Sequence, residues 1–177
     1  MPDYAVTAIG RDKPGIVAAI SRVLLELEGN IEDSRMSILR GHFAVMLIVR
    51  VPGGTGDEDL SQRLGAVRDE LGLEALTYNP VGESAEARPT ASHVVSVYGA
   101  DHPGIVAGIS AVLAAEGVNV TDLETRVGGS PDAPIYMMLI EVALGDASAD
   151  QVQSALAAAA AEAGVEVSMR ELGAEAL

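Results

Sequence analysis

Residues 10–33, GRDKPGIVAAISRVLLELEGNIED, return at 99–122 as GADHPGIVAGISAVLAAEGVNVTD. Adding 89 to each number aligns the two without a gap. Of the 24 pairs, 13 are identical, and they include Gly10/Gly99, Asp12/Asp101, Pro14/Pro103, Gly15/Gly104, Asn30/Asn119 and Asp33/Asp122. Core packing alone does not select turn-formers and small polar residues, so the repeat is of a whole structural unit.

Working outward, YAVTAIG (4–10) is an apolar, β-branched run that ends on a glycine and leads into RDKPG, a strand followed by a loop. Pro14 suits the first turn of a helix, where a missing N–H costs nothing. Ile16, Ile20, Val23, Leu24 and Leu27 then recur at helical spacing until Gly29. A hairpin follows: Ile31 to Leu39, a turn at Arg40-Gly41, and a strand carrying Phe43, Val45, Leu47, Val49 and Val51. From Ile31 to Met36 the alternation slips, which predicts a bulge or a late strand start. The segment PGGTGD closes the hairpin. Leu60, Leu64, Val67 and Leu71 mark a second amphipathic helix that stops at Gly72, and LEALTYNPV supplies a last strand. The second copy runs in the same order. Its hairpin is expected to be three residues longer, on a Met46-to-Met138 offset of 92, with the additional residues in the turn GGSPDAP.

The predicted fold class is α+β: two ferredoxin-like βαββαβ domains, each a four-stranded antiparallel sheet with two helices on one face. The expected domains are 1–79 and 92–177, joined by a proline-containing, polar linker at 80–91. In the third strand of each unit both faces are apolar: Ala44, Met46 and Ile48 alternate with Phe43, Val45 and Leu47, and Tyr136, Met138 and Ile140 alternate with Ile135, Met137 and Leu139. A sheet with water on one side shows polar alternation there. The open faces are therefore expected to be covered by the other unit or by a second chain, which predicts a homodimer.

Composition narrows the function. The net charge is -15, and residues 89–177 contain only Arg126 and Arg170 as basic groups, too few for a phosphate-binding surface, so direct nucleic-acid binding is not expected. No apolar run of about 18 residues is present, no basic leader precedes an apolar stretch, and there is no cysteine. The expected setting is cytoplasmic, without membrane insertion. Catalysis is not expected either. Ser21, Ser110, His42, His93 and His102 form no nucleophile elbow or triad spacing, and VPGGTGDED lacks the Lys-Ser/Thr of a phosphate loop. No metal site and no cofactor are predicted. Asp12, Asp33, Asp101 and Asp122 are oxygen ligands without a dense ligand run.

The repeated G-x-D-x-P-G-I-V-A at a strand-to-helix junction, followed by Asn30-Ile31 or Asn119-Val120 at the start of the next strand, resembles the ACT domain, a small-molecule-sensing module. The tandem pair, with its GNIEDSRMSILRGHFAVMLIV stretch, is more narrowly similar to the glycine cleavage system transcriptional repressor family. That resemblance implies a regulator that binds an amino acid and acts through another protein, such as a transcription regulator or an enzyme of amino-acid metabolism.

A physical case stands beside the resemblance. A helix that begins near Pro14 or Pro103 presents unpaired N–H groups and the positive end of its dipole. Gly15 and Gly104 leave room for a carboxylate to reach the backbone N–H groups of Ile16, Val17, Ile105 and Val106. Asp12 or Asn30, and Asp101 or Asn119, offer side-chain oxygens to an ammonium. His102 beside Asp101 is a candidate gate. A ligand-free reading uses the same residues as parts of a scaffold: Asp12 and Asp101 cap the helices, the glycines relieve crowding, and the asparagines shape turns.

Overall fold

The computed structural model describes residues 2–52, 57–82, 89–130 and 133–173. The chain divides into two compact units. In the first, β1 (Asp3–Arg11), α1 (Ile16–Glu26), β2 (Asn30–Leu39), β3 (His42–Arg50), α2 (Asp57–Leu71) and β4 (Ala75–Val81) follow in the βαββαβ order. The second repeats it with β5 (His93–Ala100), α3 (Ile105–Ala115), β6 (Asn119–Ser130), β7 (Ala133–Ala143), α4 (Ala149–Ala163) and β8 (Val165–Glu171). The sheet orders are β2-β3-β1-β4 and β6-β7-β5-β8, with antiparallel neighbours throughout. This is the ferredoxin-like α+β arrangement expected from the repeat.

Each core lies between the helices and one sheet face. Ile16, Ile20 and Leu24 of α1 and their counterparts Ile105, Ile109 and Leu113 of α3 are buried, as the helical spacing requires. They meet Val6, Phe43, Val45 and Leu47 in the first unit and Val97, Met138 and Ile140 in the second. Among the described residues no polar or charged residue belongs to either core. Burial of apolar surface, at roughly 25 cal/mol per Å², is therefore the force that holds each unit. The other sheet face stays open in places, with Met46, Met137 and Leu139 at 53%, 41% and 49% exposed.

The slip in β2 is a bulge. Register shifts between Ile31 and Asp33, and it shifts again between Val120 and Asp122 of β6, the same place in the repeat. The hairpin comparison needs correcting. Ala8 pairs with Val45, and its counterpart Val97 pairs with Met138, so Met138 corresponds to Val45 rather than to Met46. The second hairpin is thus four residues longer, and the addition is not a looser turn. It extends both strands by two rungs, Gly129 with Pro134 and Ser130 with Ala133. The turn positions 131–132 lie outside the described residues, as do 53–56 of the PGGTGD segment and 83–88 of the segment read as a linker. Ahead of that segment, β4 runs through Val81, with Pro80 opposite Tyr4 on an edge strand that tolerates a missing N–H.

Helix ends also differ from the sequence reading. Pro14 and Pro103 precede the caps, which are Gly15 and Gly104, so the prolines sit one step outside the helix. At the other end of α1 the residue with positive φ is Glu28, at 55°, and not Gly29.

Candidate functional site

Both strand-to-helix bends turn on a glycine. Gly15 has φ 99° and Gly104 has φ 102°, and neither helix start carries a side-chain capping hydrogen bond. Asp12 and Asp101 therefore do not cap the helices, contrary to the scaffold reading. Their backbone N–H groups donate instead across the sheet, Asp12 to the Gly41 carbonyl at 2.9 Å and Asp101 to the Pro134 carbonyl at 3.2 Å, which pins each bend to its hairpin. Their carboxylates are exposed. The first intrahelical bonds are those of the Ala19 N–H to Gly15 and the Gly108 N–H to Gly104, both 2.9 Å. The N–H groups of Ile16 and Val17, and of Ile105 and Val106, thus belong to the first turn, which has no intrahelical acceptors. No heavy atom lies within 4 Å of where a Cβ would stand on Gly15 or Gly104, so the space above each bend is open. The side chains divide: Ile16 and Ile105 are buried, whereas Val17 and Val106 are 46% and 39% exposed.

The other glycine pair of the repeat serves packing. A Cβ on Gly10 would stand 3.0 Å from Leu73 Cδ2, just after α2, and one on Gly99 would stand 2.7 Å from Val165 Cγ1, the first residue of β8, so each strand end passes too close to the entry of its edge-strand neighbour for a side chain to fit without displacement.

His102 is committed within its own unit. Nδ1 lies 3.1 Å from the Pro103 carbonyl and Nε2 lies 2.7 Å from the carbonyl of Ala163, the last residue of α4. The ring ties the bend to the end of that helix. Lys13 holds the corresponding position in the first unit.

Asn30 and Ile31 lie elsewhere. Asn30 pairs with Arg50, which pairs with Asp3, whereas the bend follows the row of Arg11, His42 and Leu39 at the opposite end of the sheet. Eight strand steps separate the rows, about 26 Å at ~3.3 Å per residue. Asn119 and Val120 stand at the same far end in the second unit, beside Ala143 and Val142. A single unit therefore gathers Asp12, Pro14, Gly15, Ile16 and Val17, or Asp101 to Val106, but not the asparagines with them.

Two features escaped the sequence reading. At the Asn30 end, Arg50 holds Asp3 through two hydrogen bonds of 3.0 and 3.2 Å and lies 3.4 Å from Glu32, whose Oε1 accepts from Asn30 Nδ2 at 2.9 Å. The hydrogen bond to Asp3 and the charges of Asp3 and Glu32 raise the guanidinium above its ordinary value. The second unit has Ser92, Thr121 and Ala143 in these places. Ser92 there acts as a backbone clamp, its hydroxyl 3.4 Å from the Val142 carbonyl and 3.2 Å from the Leu144 N–H that donates to it. Near the second bend is Tyr136, buried on the helix side of β7. Desolvation raises its phenol, the Asp101 charge adds to the rise, and a hydrogen bond with Thr125 opposes it. A tyrosine inside an apolar run gives no sequence signal of this.

An ACT-domain profile matches residues 4–77 and 93–170. A UPF0237 protein of Methanopyrus kandleri is 44% identical over 71 residues, 40% of this chain and 72% of its own. The glycine cleavage system transcriptional repressor of Escherichia coli is 31% identical over 150 residues, 82% of this chain and 76% of its own. Among solved structures, an unknown protein from Galdieria sulphuraria has a TM-score of 0.81 and 29% identity over 97% of this chain and 99% of that one. With both βαββαβ units matched by the profile, and with a relative similar across the two, the chain belongs to the ACT-domain family as a tandem pair.

Proposed function

We propose that this tandem pair is a non-catalytic amino-acid sensor that acts on a partner protein, such as a transcription regulator of amino-acid metabolism. One observation carries the reading: both bends cap their helix with a positive-φ glycine and no side chain, beneath open space. Glycine is the residue that this left-handed backbone admits, and it costs only a few tenths of a kcal/mol against a side-chain cap, so each helix start keeps its first-turn N–H groups clear of a side chain. An uncapped first turn instead suits an α-carboxylate, which accepts from the N–H groups of Ile16 and Val17, or of Ile105 and Val106, and meets the helix dipole. The exposed carboxylate of Asp12 or Asp101 is placed on the same bend to take the ammonium. Asn30, Ile31, Asn119 and Val120 join such a site only when a second ACT unit supplies them, because their own unit holds them at its far end. The name of the Escherichia coli relative supports glycine metabolism as the setting and a transcription regulator as the partner.

Enlarging Gly15 or Gly104 would test this poorly, since any L side chain strains at that φ with or without a ligand. Val17→Pro with Val106→Pro is the sharper variant. It deletes an N–H that no helical carbonyl needs, and both side chains are partly exposed. A thermal-shift screen of the twenty amino acids should raise the melting temperature of the native chain with at least one. The proline variant should fold and lose that response. A flat screen, or an undiminished response in the proline variant, refutes the assignment.

A further inference from the structure

Not every cation of the first unit has a partner. Arg50 is held by Asp3 and Glu32, Arg63 by Glu26 and Asp59, and Arg68 by Asp69. Arg11, Lys13 and Arg40 are exposed, and among the described residues none of their side chains has an ion pair or a hydrogen bond. A chain of net charge -15 offers carboxylates over most of its surface, yet these cations stand apart from them.

Backbone pairing brings the three to one end of the sheet. Arg11 ends β1 opposite His42, and His42 lies opposite Leu39, so Arg40 sits in the turn beside them. The 2.9 Å bond from the Asp12 N–H to the Gly41 carbonyl fixes the bend that carries Lys13 against that turn. Gly15, with open space above it, follows in the same bend. Asp12 is the one acid in the bend itself, and Glu74 enters β4 on the other flank of β1. The second unit has nothing comparable. Ala100 and His102 replace Arg11 and Lys13, Ile135 lies opposite Ala100, and no Lys or Arg occurs from Val127 to Met138. A plain zwitterion uses the first-turn N–H groups for its carboxylate and Asp12 for its ammonium, which leaves these cations without a task. A further carboxylate on the ligand supplies one, because a guanidinium or ammonium bonds a carboxylate about twice as strongly as a neutral donor bonds a neutral acceptor.

The geometry points to the first bend as a site for an amino acid with an acidic side chain, aspartate or glutamate, whose second carboxylate is taken by Lys13 and Arg40, with Arg11 adding to the local positive field. This rests on the sensor reading and narrows it to one bend and one class of ligand. The test is isothermal titration calorimetry of the full chain with aspartate, glutamate, asparagine and glutamine, since each amide matches its acid in size and lacks only the charge. At least one acid should bind about tenfold or more tightly than its amide, and the gap should narrow as salt is raised. Lys13→Gln with Arg40→Gln should bring that acid down to the affinity of its amide. Arg22→Gln with Arg170→Gln removes the same charge from exposed, unpaired positions elsewhere and should keep the gap. Acids that bind no more tightly than their amides, a gap that survives in the Lys13 and Arg40 variant, or one lost equally in the control would each overturn the inference. A response to other amino acids without aspartate or glutamate sinks this inference and leaves the sensor reading standing, whereas a flat result across all twenty sinks both.

Discussion

Replacing Glu28 by glycine should stabilise the first unit by about 1 kcal/mol. Helix α1 ends in a Schellman arrangement: the Glu28 N–H donates to Leu25 at 2.9 Å and the Gly29 N–H donates to Leu24 at 2.8 Å. That arrangement needs a left-handed residue after the cap, and in α1 it is Glu28, with φ 55°. The same turn after α3 uses Gly117, with φ 70°, followed by Val118, whose N–H reaches Leu113 at 2.9 Å. The second unit thus has a glycine where φ is positive and an apolar residue where the motif closes on the helix. The first unit has the two the wrong way round. A side chain in left-handed backbone costs roughly 1–2 kcal/mol, part of which glycine returns through the greater entropy of its unfolded chain. A net gain of about 1 kcal/mol corresponds to a rise of roughly 4–8 °C for a domain of this size. Differential scanning calorimetry of the full chain, with amide exchange to assign the transition to the first unit, measures it. Glu28→Ala is the control, because it removes the charge and keeps the Cβ. If alanine stabilises as much as glycine, the strain argument is wrong and the gain comes from charge.

Three further outcomes follow from close contacts and burial elsewhere in the two units. Gly99→Ala should cost about 2–3 kcal/mol by urea denaturation, because its Cβ meets Val165 Cγ1 at 2.7 Å and Val165 Cα at 3.1 Å. Gly10→Ala should cost less, about 1–2 kcal/mol, since its nearest contact at 3.0 Å is the tip of Leu73, which can turn away and leaves the 3.2 Å approach to Leu73 Cα as the remaining cost. Tyr136 holds its proton more tightly folded than unfolded, because burial raises its phenol above 10.0. That contribution is complete below the ordinary tyrosine value and is lost as pH rises through the raised one. Stability measured across the alkaline range should therefore fall less steeply for Tyr136→Phe than for the native chain; equal slopes would contradict the assignment.

The element order, the two cores and the two bends were legible because they rest on local signals: apolar spacing, turn-formers and a repeat. Ile16, Ile20 and Leu24 could be placed in the core from their spacing alone. Register was less accessible. Assigning Met46 to Met138 by likeness of side chain missed the pairing by one residue, because both neighbours of Met46 in the strand are also apolar and an apolar run does not say which face it presents. The extra rungs after Gly128 were hidden for a related reason, since Gly-Gly-Ser-Pro reads as a turn whether or not its first residues still pair. That one unit does not gather Asn30 with Asp12 was not legible, because closeness to a helix in sequence does not tell which end of the sheet a residue reaches. α1 carries the chain back to the start of β1 before Asn30 begins β2.

The repeat also sorts its own residues into those that keep the fold and those free to act. Gly10/Gly99 are identical because the strand passes close to Leu73 or Val165, and Gly15/Gly104 because the backbone bends to positive φ. Asp33 and Asp122 follow the two bulges. These identities would survive duplication with or without a ligand, so identity between the units argues chiefly for shared architecture. What separates the units is then the better guide to their individual tasks. Lys13 against His102 exchanges an ammonium for a ring that ties its bend to the end of α4. Asp3, Glu32 and Arg50 against Ser92, Thr121 and Ala143 replace an ionic cluster with a backbone clamp. Arg35 against Glu124 reverses a charge on the edge strand. Because each exchange alters charge or hydrogen bonding and leaves both cores intact, the two units share one scaffold but present different chemistry at their bends and edges. A ligand that binds one bend need not bind the other.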